Sequence, residues 1–228
     1  MEYRTDSLHS SPQVRGATFG LVAAALFGVS PPFAKLLLPE AGPLLIAGLL
    51  YLGAGLGLLA FELISDCRPR SHPREARVRS SDMWLLAGIV LTGGILGPVF
   101  MLWGLQRLSA VIGSLLLNLE APLTILLAVV LFREHMGRQE TGGAILIFVA
   151  ATVLGYHREE VQADLLGLMS IMGACFSWAI DNNLTQRLSL RDPIVVTRIK
   201  ALGAGICTLS LAGITGESFP QLSILIST

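Results

Sequence analysis

Seven stretches of this chain run for about 20 residues each with almost no charge, and any fold must first find a place for them. They lie at about 17–38, 43–64, 83–105, 110–132, 142–157, 165–188 and 193–212. A hydrocarbon core about 30 Å thick is crossed by about 20 apolar residues in a helix, because no water is present there to satisfy backbone N–H and C=O groups. The chain is therefore expected to be an all-α, polytopic membrane helix bundle of about seven transmembrane helices, with the lipid bilayer as its first partner. The fifth stretch, Gly142 to Tyr156, is short for a span, but it is uncharged and ends on an aromatic suited to the interface. A cleavable signal peptide is not expected, since the first stretch follows a polar tail of fifteen residues and exceeds a signal h-region. Only 14% of residues are charged, against roughly 25% in a soluble domain. The 16 Lys and Arg balance the 16 Asp and Glu, so no basic excess points to nucleic acid. Cys67, Cys175 and Cys207 are odd in number and share no CxxC spacing, which indicates neither a disulfide framework nor a zinc site.

Short loops rich in Arg and Lys stay on the cytoplasmic side. Arg4 and Arg15 precede the first span; Arg68, Arg70, Arg74, Arg77 and Arg79 follow the second; Arg133 and Arg138 follow the fourth; Arg187 and Arg191 follow the sixth. The opposite loops hold only Lys35, Arg107 and Arg158. This asymmetry places the N-terminus in the cytoplasm, in a cell (inner or plasma) membrane.

The chain also repeats itself. A shift of 150 positions brings Leu52-Gly53-Ala54-Gly55 onto Leu202-Gly203-Ala204-Gly205 and Pro43 onto Pro193. A shift of 151 brings Phe27-Gly28 onto Trp178-Ala179, and Ser30-Pro31-Pro32 onto Asp181-Asn182-Asn183. The sequence thus reads as a tail at 1–15, a five-helix unit at 16–157 and an incomplete second unit at 163–228. Five helices are an odd number, so the second unit enters the membrane with the opposite orientation, as in the inverted repeats of secondary transporters. Leu222 to Ile226 looks like the opening turns of an eighth span cut short.

The segments Gly104-Leu-Gln-Arg-Leu-Ser-Ala110, Leu115-Leu-Leu-Asn-Leu-Glu-Ala-Pro-Leu-Thr124 and Phe132-Arg-Glu-His-Met-Gly137 resemble the first EamA domain of the drug/metabolite transporter superfamily. Trp178-Ala-Ile-Asp-Asn-Asn-Leu-Thr185, with Asp192-Pro193 and Lys200, resembles the opening of the second. The resemblance covers nearly the whole chain after Arg15, and its pattern is more telling for fold than for substrate. It implies a ten-helix, inverted 5+5 repeat around a central cavity, here cut short, that moves small metabolites.

Glu120 falls about ten residues into the fourth span, close to the bilayer midplane, where a carboxylate is costly and usually faces a bundle interior or a water-filled path. It is expected to act in coupling or substrate contact, against the plainer reading of a packed, hydrogen-bonded acid. Asn118 and Thr124 flank it, and Pro122 should release a backbone carbonyl nearby. Asp181, Asn182 and Asn183 in the sixth span lie at the same depth as Lys200 in the seventh. Asp181 and Lys200 are thus either partners, or Lys200 snorkels with Arg198 to the interface. Lys35 is read as snorkelling. Trp103 and Trp178 are candidate stacking walls, with interface anchoring as the plainer role. Pro31 and Pro32 should break or kink the first span, as helices do at transporter binding sites.

The spacings Gly16-Gly20, Gly53-Gly57 and Gly93-Gly97 fit close helix approach, expected within the bundle first and in a homodimer second. Glu134 and His135 lack the second His of a zinc-protease helix, and no nucleophile–base set, nucleotide loop or metal cluster appears, so neither an enzyme nor a cofactor is expected. The expectation is an integral membrane secondary transporter moving a small-molecule solute by alternating access. The alternative is a non-transporting fragment or membrane interaction or scaffold subunit.

Overall fold

The computed structural model describes residues 12–66, 76–132, 137–156 and 164–217. Arg4, Arg68, Arg70, Arg74, Arg133, Glu134, His135, Arg158 and the run from Leu222 to Ile226 lie outside these residues. Within them the chain is helical: α1 (Pro12–Leu37), α2 (Pro43–Asp66), α3 (Met83–Ile89), α4 (Gly97–Arg107), α5 (Ala110–Leu116), α6 (Glu120–Phe132), α7 (Arg138–Tyr156), α8 (Leu165–Gln186) and α9 (Pro193–Thr215). Among the described residues there is no strand, only an isolated bridge between Ala76 and Arg191.

Among the described residues six segments are long and apolar enough to cross a bilayer: α1, α2, α3 with α4, α5 with α6, α8 and α9. The apolar part of α7 is shorter, from Thr141 to Ala150, as its length in the sequence implies. Two spans are internally irregular. Val90–Leu96 forms a π-helical turn between α3 and α4, and Leu117–Leu119 forms a 3₁₀ turn between α5 and α6. Pro122 lies in the first turn of α6, where its missing N–H is tolerated, and the regular helix of this span is interrupted just before it.

Pro31 and Pro32 behave differently. α1 runs through both without interruption, so of the expected break or kink no break is present. Each proline removes one helical hydrogen bond, which leaves the carbonyls of Phe27 and Gly28 without their usual donors. The chain continues helically for more than a turn beyond them, to Leu37. Lys35 in that last turn does not snorkel; its Nζ donates to the Leu105 carbonyl and, at 3.4 Å, to that of Gln106. The end of α1 is thereby tied to the end of α4, whose terminal carbonyls have no acceptor role left within their own helix.

The helices at Pro43 and Pro193, matched by the 150-residue shift, pack along each other. A methyl group built on Gly55 would meet Leu202, one built on Gly205 would lie 2.6 Å from the Leu52 backbone nitrogen, and one on Gly48 would meet Leu209. These pairs run in opposite directions along the two chains, so α2 and α9 are antiparallel. They are also reciprocal: exchanging each residue for its counterpart in the repeat turns the Gly55–Leu202 contact into Gly205–Leu52. Gly16, Gly20, Gly53 and Gly57 face open space instead, so two of the three predicted close-approach spacings are not used in this packing. Gly48 and Gly55, two turns apart, form the packed stripe of α2. The third spacing, Gly93-Gly97, is used, against α8.

The main apolar core lies where α4, α5 and α8 meet, around Leu102, Leu105, Leu108, Ile171, Ala174 and Cys175. A smaller one joins α3 to the junction of α8 and α9 through Leu86, Ile89, Leu188 and Val196. At this second end Arg191 donates to both carboxylate oxygens of Asp82, at 2.8 and 3.2 Å, while Asp82 also accepts from the Arg79 N–H. The Asp192 N–H adds a bond to the Ala76 carbonyl at 3.3 Å.

Candidate functional site

The two irregular turns flank α8, and each offers that helix backbone oxygens that a regular span would keep to itself. In the π-helical turn the Gly97 N–H bonds to the Thr92 carbonyl, five residues back, and residue 98 is a proline with no N–H to give. The Gly93 carbonyl is left free of both helical donors. Two side chains take it up: the Tyr51 hydroxyl donates to it at 2.8 Å, and the Trp178 indole N–H at 3.1 Å. Gly93 and Gly97 carry no side chain because a Cβ at either would collide with Asp181 or Trp178 of α8. The Gly93-Gly94-x-x-Gly97-Pro98 pattern thus builds both the carbonyl and the room for the residues beside it.

On its other face α8 meets the 3₁₀ turn. Cys175 Sγ donates to the Leu116 carbonyl at 3.5 Å. Two turns on, Asn182 Nδ2 donates to Glu120 Oε1 at 2.8 Å and to Thr124 Oγ1 at 3.3 Å. Asn183 Nδ2 donates to the Thr124 carbonyl at 3.1 Å and to that of Ala179 at 2.8 Å. The spacing from Cys175 to Asn182 is seven residues, so both stand on one stripe of the helix.

Between these faces lies an ion pair. Lys200 of α9 donates to Asp181 Oδ2 at 2.5 Å; Asp181 is 4% exposed, and its second oxygen, Oδ1, is buried without a hydrogen-bond partner. Lys200 therefore does not snorkel. Nor does Arg198, which pairs with Glu62 of α2. Glu120 is half-buried in the middle of its span, and the bonds from Asn182 reach only one of its carboxylate oxygens. Four elements thus converge inside the spans: α6 with Glu120 and Thr124, α8 with Trp178, Asp181, Asn182 and Asn183, α9 with Lys200, and α2 with Tyr51.

Two candidates stand apart. Asn118 is exposed, and its amide donates to the Ser114 and Leu115 carbonyls of its own helix. Trp103 is exposed and packs edge-on against Phe100, with ring centroids 6.1 Å apart. Trp178 is buried and makes the same kind of contact with Phe27 of α1, again at 6.1 Å. Tyr51, Glu62 and Asp82 are site or support residues absent from the sequence-based expectations, and Gly93 stands there only as a packing glycine. A proline one turn after a Gly-Gly pair inside a span was the signal available for Gly93.

The arrangement is chemically that of a polar core inside an apolar bundle. It contains a neutralised acid–base pair, a second acid held by the Asn182 amide, and an aromatic pair beside them. The model of the EamA-like transporter family matches residues 14–156. The chain is 28% identical over 207 residues to a protein named "Uncharacterized transporter" from Methanothermobacter thermautotrophicus (strain Delta H). That alignment covers 86% of this chain and 60% of the relative, so the chain spans about three fifths of its relative's length. No solved structure matches.

Proposed function

The chain belongs to the EamA-like transporter family, and from that premise we propose that it moves a small-molecule solute across a cell membrane by alternating access. The observation that carries the reading is the polar cluster within the apolar spans. An ionisable group inside a span costs several kcal/mol unless it is paired or meets a water-filled path, and such groups mark substrate and ion pathways. Asp181 and Lys200 neutralise each other, while Glu120 has an oxygen to spare for a proton or a solute group. In this reading Glu120 is the coupling or substrate-contact carboxylate, Asn182 orients it, and Trp178 backs the cluster with Phe27.

The reciprocal packing of α2 and α9 supports the inverted-repeat reading, because two helices related by a two-fold axis in the membrane plane meet antiparallel with exchanged contacts. The positive charges at the α2–α3, α6–α7 and α8–α9 junctions favour a cytoplasmic N-terminus.

The test is uptake and efflux of a metabolite panel of amines, carboxylates, amino acids and neutral solutes by proteoliposomes carrying the chain. Solute-selective flux above empty vesicles is expected. Flux no greater than in empty vesicles for every solute would favour the alternative, a membrane interaction subunit.

A further inference from the structure

The two matched helices, α2 and α9, begin alike and are capped differently. Each opens with proline, each takes its first helical hydrogen bond from the fourth residue on to the residue before the proline (Ile46 to Gly42 at 3.0 Å, Val196 to Asp192 at 3.0 Å), and each presents two further N–H groups that need an acceptor. In α9 the acceptor is local: Asp192 Oδ1 takes the Ile194 and Val195 N–H groups at 2.9 and 3.4 Å. In α2 the residue at the same place is Gly42, which has no side chain to offer. The corresponding N–H groups, of Leu44 and Leu45, are taken instead by Glu217, whose Oε1 and Oε2 accept them at 3.3 and 2.9 Å.

Glu217 is placed for this by the way α9 ends. Gly216 adopts the left-handed conformation, φ +72°, and the Glu217 N–H returns to the Ala212 carbonyl at 3.0 Å. The next side chain is thereby turned toward the start of α2. Gly42 completes the fit, since a Cβ there would collide with the Glu217 carboxyl group. The charges matter as well. A carboxylate just past the end of α9 lies at the negative pole of its own helix, and is favoured only by the positive pole of α2.

We propose that Glu217 is a releasable clamp: it caps α2 from the end of α9, so the start of α2 is satisfied only while those two helix ends are together. A local cap such as Asp192 travels with its own helix and reports nothing about the neighbour. A cap supplied by the neighbour makes the uncapping of α2 and the parting of α2 from α9 one event. The opposite end of α9 is held to residues 76–82 by Arg191 and by the Asp192 N–H, so the clamp secures the end that those bonds do not reach. Its use as a gate over the polar cluster rests on the transport reading; the clamp itself does not.

The experiment uses the full chain in nanodiscs, with two readouts. Amide hydrogen exchange follows residues 43–46, and pulsed electron paramagnetic resonance measures the separation of spin labels at Glu40→Cys and Ile214→Cys, with the native cysteines replaced. Glu217→Ala should speed exchange at Leu44 and Leu45 on the order of 5-fold, the usual consequence of losing a cap, and broaden the distance distribution. Gly42→Asp combined with Glu217→Ala should restore protection at 43–46 through a local cap, yet leave the distances broad. Faster exchange with an unchanged distance distribution would make Glu217 a cap without a clamp and overturn the proposal; so would no change in either readout. Protection of residues 171–181 serves as the control for folding, and should Glu217→Ala lose it, Glu217→Gln, which keeps only one of the two acceptor oxygens, carries the comparison with a smaller expected increase in exchange. If the clamp behaves as expected while no solute is moved, the transport reading fails and the clamp stands.

Discussion

Substituting alanine at two glycines of one repeated motif should have opposite effects on stability, because only one of the two meets another helix. In Leu202-Gly203-Ala204-Gly205, a Cβ on Gly205 would lie 2.6, 2.8 and 2.9 Å from the N, Cα and Cβ atoms of Leu52, against the 3.4 Å at which ordinary contact begins. These atoms belong to the backbone and its first carbon, so no rotamer change relieves the overlap. α2 and α9 must separate by the better part of an ångström. A gap of that size forfeits a quarter to a half of each dispersion contact along the interface, and overpacking of this kind costs about 1–3 kcal/mol. Gly→Ala in a helix returns about 0.5–1 kcal/mol through propensity. Gly205→Ala should therefore be destabilising by about 1–2 kcal/mol. Gly53 of the matching motif has nothing within 4 Å, so Gly53→Ala should be neutral or stabilising by up to about 1 kcal/mol. Denaturant titration of the purified chain in micelles, followed by helical circular dichroism, measures both variants on one scale. Equal stability of the two, or Gly53→Ala as the weaker, would refute the antiparallel register of α2 on α9.

Asp181→Asn leaves the partly buried Lys200 without its anionic partner and should destabilise by about 2–4 kcal/mol, whereas Asp181→Asn with Lys200→Met should recover most of that loss in the same titration. Arg191→Ala removes a two-point contact to Asp82 and should cost about 1.5–3 kcal/mol, with faster hydrogen exchange at residues 76–82 and none of that increase near Glu120. A cysteine placed at Ser71 should react with impermeant maleimide only from the cytoplasmic face; labelling from outside alone would reverse the proposed orientation.

Length and polarity made the spans legible, since a bilayer tolerates few alternatives to an uncharged helix of about 20 residues. Depth made Glu120, Asp181, Asn182 and Lys200 legible as residues out of place in lipid. What stayed hidden depended on which of several hydrogen bonds the backbone would keep. Whether the Gly97 N–H bonds to Thr92 or to Gly93 decides whether the Gly93 carbonyl is free, and local sequence weighs both. Pro31 and Pro32 show the same limit from the other side, because the identical chemistry that accompanies a break before Pro122 is absorbed within α1. Glu217 and Gly42 lie 175 residues apart and make sense only once α2 and α9 are packed together. Glu62 beside Arg198 was hidden for the same reason.

The central claim is that the polar cluster within the spans serves transport, and Glu120 is where it is most directly tested. Glu120→Gln keeps the size of the side chain and its bond to Asn182 while removing the charge. In proteoliposomes loaded to hold a proton gradient, it should fold and insert as the parent chain does but lose gradient-driven solute flux, and Glu120→Asp, shorter by one methylene, should retain part of it. Flux and pH dependence in Glu120→Gln equal to those of the parent chain would contradict the account and leave Glu120 as a hydrogen-bonding residue of the packing alone.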